Sequence, residues 1–264
     1  MSKCRGDMRI LLTIAYDGTD FAGWQVQPGK RTVQGELEDA LSRLYVNQVV
    51  RIHGSGRTDA GVHALAQTAT FDPPSHPKIP LENLKRALNH SLRPAILVRG
   101  VEWVPDGFHA RFSAVGKIYT YTINRGENLP LLARWTWRKP DCPSPEKIAE
   151  NASALEGERD FSSFTTARKD IDNAVRTIYS IKVREKGELL EIAFHGSGFL
   201  YKMVRGIVGV LVPVAGAPFD KESVSAILEA RDRTAAPECA PPQGLSLTEV
   251  IYPENSKKMD MEDA

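Results

Sequence analysis

Strand-like and helix-like segments are interspersed along almost the whole chain, and this pattern constrains the fold more than any other feature of the sequence. Runs rich in Ile, Leu, Val and Thr, or alternating apolar and polar residues, predict strands, whereas leucines three or four residues apart predict helices. The predicted strands are Met8 to Tyr16, Val49 to His53, Ala64 to Phe71, Ala95 to Val104, Lys117 to Asn124, Arg176 to Arg184, Leu189 to His195 and Leu245 to Tyr252. The predicted helices, caps included, are Thr32 to Tyr45, Pro80 to Leu92, Ser144 to Leu155, Phe199 to Val212 and Lys221 to Ala230. Short turns join many of these segments, which predicts an α+β fold with a mostly antiparallel or mixed sheet and helices packed on it.

The composition says little about which molecules the protein binds. The chain has 264 residues, of which 42% are hydrophobic and 25% charged, enough for one large domain or two small fused ones. Formal net charge is only +1, so a surface that binds nucleic acid must be a local one.

A cytoplasmic protein that does not enter membranes is expected. Cys4, Cys142 and Cys239 are far apart, which predicts neither a disulfide framework nor a zinc site. The first seven residues are polar, unlike a secretory signal, and the apolar run from Gly206 to Phe219 is shorter than a bilayer span and contains two prolines.

A glycine-rich loop from Gly54 to Ala64 is the strongest candidate for a reactive site. It places Asp59 among basic and glycine residues between two predicted strands, and its glycines allow a large ligand to approach the main chain. The alternative is structural, with Asp59 and Thr58 serving only to hydrogen-bond a tight turn.

Several motifs in this order resemble the tRNA pseudouridine synthase A (TruA) family. The nine residues Gly-Arg-Thr-Asp-Ala-Gly-Val-His-Ala, from Gly56 to Ala64, are similar to the active-site signature of that family. Similar segments are Tyr16 to Gln25, Thr32 to Glu38, Phe108 to Ala114, Lys117 to Tyr121, Phe199 to Arg205 and Gly244 to Leu247. The resemblance runs from about residue 8 to residue 252.

The resemblance implies an enzyme that isomerises uridine to pseudouridine in the anticodon stem-loop of tRNA, at positions 38 to 40, with no cofactor and no metal. It implies Asp59 as the nucleophile, a homodimer, and a pseudouridine synthase fold with two pseudo-symmetric halves and a cleft between them. The expected halves are residues 1–105, which carry the Asp59 loop, and 106–252, followed by a disordered polar tail at 253–264. The open alternatives are a synthase for another RNA position and a noncatalytic RNA-binding module.

Arg205 is the second candidate, because it lies in a segment that is apolar nearly all round. A buried guanidinium requires a partner, and Asp59 is the natural one, since the pair would keep the carboxylate ionised. A solvent-facing arginine, or one that binds a structural carboxylate, is the alternative reading. The resemblance assigns Arg205 as the partner of the nucleophile.

Tyr119 and Tyr121 alternate on one predicted strand and therefore share a face, which suits base stacking or ordinary sheet packing. The resemblance selects Tyr119 as the residue that packs against the target uracil and leaves Tyr121 to the core. Basic residues that could bind phosphates are Arg51, Arg57, Arg111, Lys117, Arg168, Lys169 and Lys202, and each could equally be a solvated charge. Arg57 and Arg111 stand out because they lie inside the matched motifs.

Overall fold

The computed structural model describes residues 8–166, 173–216 and 219–257. They form two compact units. Unit 1 contains the described residues up to 115 together with 247–257, and unit 2 contains the described residues from 116 to 246.

Unit 1 packs two helices on an antiparallel sheet. Its elements are β1 (Met8–Tyr16), α1 (Val33–Leu44), β2 (His53–Gly54), β3 (His63–Phe71), α2 (Leu81–Leu92) and β4 (Ile96–Pro105). The strand order is β4-β1-β3, with the short β2 paired to β3. Helix α2 buries Leu84, Leu88 and Leu92, which are four residues apart and therefore lie on one face. Thr32 caps α1 because its hydroxyl accepts a hydrogen bond from Gly35 N at 3.3 Å.

Unit 2 contains mostly antiparallel strands and three helices. Its elements are β5 (Gly116–Asn124), β6 (Trp137–Arg138), α3 (Pro145–Ala152), β7 (Gly157–Asp160), β8 (Val175–Lys186), β9 (Leu189–Gly196), α4 (Met203–Leu211) and α5 (Lys221–Ala230). The order is β5-β9-β8-β7, and β6 pairs with β5 in the parallel sense. The last strand, β10 (Leu245–Ile251), crosses the division between the units. The predicted α+β class with a mostly antiparallel, mixed arrangement is confirmed.

The predicted strand from Val49 to His53 is wrong except for its last residue. Ile52 N donates to Glu38 Oε1 at 3.1 Å, so a side chain satisfies the backbone group that a neighbouring strand would otherwise bind. The strand that exists is β2, which begins at His53. Two short strands were not predicted, because β6 has only two residues and β7, Gly-Glu-Arg-Asp, has no apolar alternation.

Two helices are shorter than predicted. The helix expected from Phe199 begins only at Met203, since Lys202 before it has φ 59°, in the left-handed region that no helix continues through. The helix expected to reach Leu155 ends at Ala152 and tightens into a 3₁₀ turn, Ser153–Leu155.

The division between the units lies ten residues beyond the expected one at residue 105. The turn after β4 belongs to unit 1 because Phe108 and Ala110 are buried there with Tyr252, whose hydroxyl donates to Ala110 O at 2.7 Å. Residues 253–257 of the expected disordered tail form a turn, and Lys257 pairs with Glu102 at 2.8 Å. Residues 258–264 lie outside the described residues, so disorder there stays a prediction. Among the described residues, no helix is long and apolar enough to cross a bilayer.

Candidate active site

The Asp59 loop (residues 55–62) connects β2 to β3, and hydrogen bonds hold its backbone on both sides of Asp59. Thr58 O accepts from Trp24 N at 3.1 Å, Val62 N donates to Asp59 O at 3.1 Å, and Gly61 N donates to Phe21 O at 3.4 Å. Asp59 itself is half-buried. A carboxylate on a fixed backbone, still reachable from solvent, is what a nucleophile that attacks a large substrate requires.

Glycines let the segment before α1 pack directly against this loop. Gly23 has φ 96°, and a Cβ on it would lie 2.7 Å from Thr58 O. A Cβ on Gly18 would lie 2.0 Å from Val62 O. These distances leave no room for a side chain at either position, so the matched amino-terminal motif forms the floor of the Asp59 loop.

A buried network of polar side chains also supports the loop. Gln67 Oε1 accepts from Thr68 N at 3.1 Å and from Ser55 Oγ at 2.7 Å, while its Nε2 donates to Gly56 O at 3.0 Å. Because Thr68 N can only donate and Gly56 O can only accept, these two bonds fix the orientation of the amide.

Tyr16 extends this network to the residue before Asp59. Its hydroxyl lies 2.8 Å from Thr58 Oγ1. Burial raises the pKa of Tyr16 strongly, although the Thr58 and Gln67 side chains lower it in part, so the phenol stays protonated and able to donate.

His63, within the matched signature, is buried. Its Nδ1 accepts from Gly18 N at 3.0 Å, so the neutral ring carries its proton on Nε2. Asp17 Oδ1 lies 3.3 Å from Nδ1 and accepts from both the amide and the hydroxyl of Thr19.

The basic candidates of unit 1 have different environments. Arg57 and Arg111 are exposed, and the Arg111 guanidinium lies 5.5 Å from the centre of the Phe112 ring. Arg51 instead pairs with Glu38 at 2.7 Å, and that carboxylate is buried. The charge of Arg51 therefore neutralises a buried group of its own unit.

In unit 2, the two tyrosines of β5 face the buried side of the sheet. Tyr121 is fully buried, donates to Pro241 O at 2.7 Å and packs edge-on against Trp137, so it fills the core. Tyr119 is 7% exposed and meets Phe199 edge-to-face, with ring centres 5.2 Å apart. Both residues are buried, and Tyr119 is slightly the more exposed of the two.

Arg205 lies in the first turn of α4 and is half-buried. Its Nε donates to Ala240 O at 2.8 Å, and Ala240 N donates back to Arg205 O at 3.0 Å. Burial raises the pKa of Tyr121, and the positive charge of Arg205 opposes that rise. The Nε bond ties the Arg205 side chain to Ala240, and the second bond joins the backbones of the two residues.

The remaining candidates lie at the ends of elements of unit 2. Lys117 is half-buried, near the start of β5 and opposite Gly196 of β9. Lys202 precedes α4, and its Nζ lies 5.2 Å from the centre of the half-exposed Tyr201 ring. Arg168 and Lys169 lie outside the described residues.

Tyr16 and Gln67 are supporting residues to which the sequence reading assigned no role. Tyr16 could have been recognised as the last residue of a predicted strand and the first of a matched motif, whereas Gln67 carries no local signal. Within the part of the chain that the structure describes, no group of three or more histidine, cysteine, aspartate or glutamate side chains could hold a metal ion.

A model of the family described as tRNA pseudouridine synthase matches residues 12–113 and 152–253, which is more than half of the chain. The chain belongs to the tRNA pseudouridine synthase family. Its enzyme class is therefore that of an isomerase which converts uridine in tRNA to pseudouridine.

Curated relatives of the tRNA pseudouridine synthase family agree with this over nearly the full length. A protein of Geobacillus sp. (strain WCH70) named tRNA pseudouridine synthase A is 42% identical over 92% of this chain and 98% of its own. Proteins of the same name from Anoxybacillus flavithermus and Chlamydia pneumoniae are 45% and 40% identical, each over 92% of this chain and over 98% and 92% of their own lengths. The predicted family and reaction are confirmed.

Proposed function

We propose that this enzyme isomerises uridines at positions 38 to 40 of the tRNA anticodon stem-loop, with Asp59 as the nucleophile. The observation that supports this most is a half-buried carboxylate on a loop whose backbone is hydrogen-bonded on both sides. A rigid loop can hold a nucleophile at the short distance from the reacting atom that the chemistry needs. The substrate positions rest on the TruA resemblance of the matched motifs.

The reaction conserves atoms and needs no outside reductant or oxidant. The target uridine turns out of its stack, and its C1′–N1 bond breaks after Asp59 attacks C1′ or C6, or promotes loss of the base as a glycal. The detached uracil rotates, C5 bonds to C1′, any bond formed to Asp59 breaks so that the free carboxylate returns, and the C5 proton leaves to a base. All three routes give the same C–C product.

Arg205 and Tyr119 complete the proposed site from unit 2. We infer that the Arg205 guanidinium pairs with Asp59 in the working enzyme and keeps it ionised. The Tyr119 ring packs against the uracil. Arg57, Arg111, Lys117 and Lys202 bind backbone phosphates, which makes tRNA binding sensitive to salt. The working form is a cytoplasmic homodimer.

The experiment for the substrate uses tRNA transcripts labelled with tritium at C5 of every uridine. Release is measured from a transcript with uridines at 38, 39 and 40 and from one in which those three are cytidines. The proposal predicts release of up to three equivalents from the first and none from the second. Equal release from both transcripts would assign the enzyme to another RNA position.

Sedimentation of the enzyme with and without tRNA tests the homodimer. A species with the mass of two chains is expected at micromolar concentrations. A monomer that is fully active on tRNA would refute this part of the proposal.

A further inference from the structure

An aromatic row (His53, His109 and Phe112) runs over the surface of unit 1 and begins beside the Asp59 loop. The ring centres of His53 and His109 are 5.7 Å apart, and those of His109 and Phe112 are 4.5 Å apart. His53 lies two residues before Ser55, the first residue of the Asp59 loop. The row therefore begins close to the loop that carries the proposed nucleophile.

Phe112, at the outer end of the row, is exposed yet firmly held. The residue is 76% exposed, unlike Phe108 four residues earlier, which is buried against Tyr252. The turn that carries it is closed by Ser113 N donating to His109 O at 2.9 Å and by His109 N donating to Ser113 Oγ at 3.0 Å. A large ring presented to solvent from a fixed turn loses little conformational entropy when it binds a partner.

Arg111 places a positive charge beside the row. The Arg111 guanidinium lies 5.5 Å from the Phe112 ring centre, and Arg111 N donates to His109 Nδ1 at 3.0 Å. Burial lowers the pKa of His109, and the neighbouring His53, Arg9 and Arg111 lower it further, because each of them carries or can carry positive charge. Arg9 is paired with Asp72 at 2.7 Å, so Arg111 is the cation of this group best placed to reach a phosphate.

We propose that the aromatic row is a stacking platform for unpaired bases of the RNA substrate that flank the target uridine, with Phe112 as its outer contact and Arg111 binding the adjoining phosphate. A flat aromatic ring beside a guanidinium fits a nucleotide, since every base offers a π-face and every linkage a negative charge. This proposal rests on the proposed function, because it takes the RNA at the Asp59 loop as the occupant.

The test measures the affinity for whichever tRNA transcript the wild type converts, using Phe112→Ala, Phe112→Leu and Phe112→Trp. Loss of one stacked base lowers affinity by about 5- to 150-fold, so the Ala and Leu variants are expected to bind at least about five-fold more weakly. The Trp variant should bind like the wild type, because it keeps an aromatic face. Val49→Ala is the matched control, since Val49 is 75% exposed in the same unit but lies outside the row.

Each result has a defined meaning. Unchanged affinity of Phe112→Ala would overturn the proposal, as would a weaker Phe112→Trp. If Phe112→Ala changed the sedimentation of the free enzyme while its RNA affinity stayed constant, the row would belong to an interface between copies of this chain, which also overturns it. Failure of the wild type to convert any tRNA would refute the proposed function instead, and that result is read before any variant is compared.

Discussion

Replacing Tyr16 with phenylalanine should impair catalysis through the residue next to the nucleophile. The substitution keeps the ring that packs beside Trp24 and removes only the hydroxyl, which lies 2.8 Å from Thr58 Oγ1. Thr58 is 6% exposed, so water cannot replace the lost partner. The expected structural effect is a looser Asp59 loop with an otherwise unchanged fold.

The magnitude follows from that burial. A buried hydrogen bond contributes about 1 kcal/mol net, and leaving its partner unsatisfied costs about 1–3 kcal/mol, so Tyr16→Phe should lower the free energy of unfolding by about 2 kcal/mol. For a protein of this size, 1 kcal/mol shifts Tm by about 2–4 °C, which gives a drop of about 4–8 °C. Because a displacement of about 1 Å at a reacting group can cost about 100-fold in rate, kcat should fall between about 10- and 100-fold with little change in KM.

The assay is tritium release under saturating tRNA at a temperature well below both Tm values. Tyr45→Phe is the control, because Tyr45 is also buried in unit 1 but contacts Phe71 at the end of α1, away from the loop. It should leave kcat unchanged. A Tyr16→Phe enzyme with wild-type kcat would refute the inference that this hydroxyl positions Asp59.

Three further predictions concern other contacts. Gly23→Ala should destabilise the enzyme and reduce kcat, because its Cβ would lie 2.7 Å from Thr58 O at φ 96°; a wild-type Tm in thermal unfolding would contradict this. Arg205→Leu should abolish turnover more than tRNA affinity, and the reverse result would make Arg205 a binding residue. Burial raises the pKa of Tyr252 to about 12, so the stability this phenol contributes is complete below its unfolded pKa of about 10 and is lost as the pH rises towards 12. As the pH rises from 9 to 12, the free energy of unfolding measured with urea should therefore fall less for Tyr252→Phe than for the wild type. An equal fall in both proteins would disprove the link between this pKa and stability.

The sequence predicts this fold well where the burial of one face of an element gives its apolar residues a regular spacing. Helix α5 begins and ends at the predicted residues, since Asp220 caps it and its buried Val224, Ile227 and Leu228 lie on one face. Prediction from the sequence fails where a single tertiary contact decides whether a segment forms a strand. Ile52 is an example, because its amide binds the Glu38 carboxylate instead of a neighbouring strand. A side chain 14 residues away leaves no periodic trace in the sequence.

The sequence likewise reveals some residues of the candidate site and not others. Asp59 and Arg205 were identifiable because rare residue types stand in distinctive surroundings: a carboxylate among glycines, and a guanidinium in an apolar segment. The role of Gln67 was not, because its three hydrogen bonds go to groups brought together only by the pairing of β2 with β3 and by the loop itself. Phe112 was equally hidden, since nothing in the sequence distinguishes its exposure from the burial of Phe108.

The most direct test of the central claim is single-turnover tritium release by Asp59→Asn, which keeps the size and shape of the side chain but removes its charge. Asp39→Asn, at an exposed carboxylate on α1, is the matched control. The account predicts that Asp59→Asn binds tRNA as the wild type does and releases no tritium above the enzyme-free background, whereas the control is fully active. Release by Asp59→Asn at the wild-type rate would contradict the assignment of Asp59 as the nucleophile.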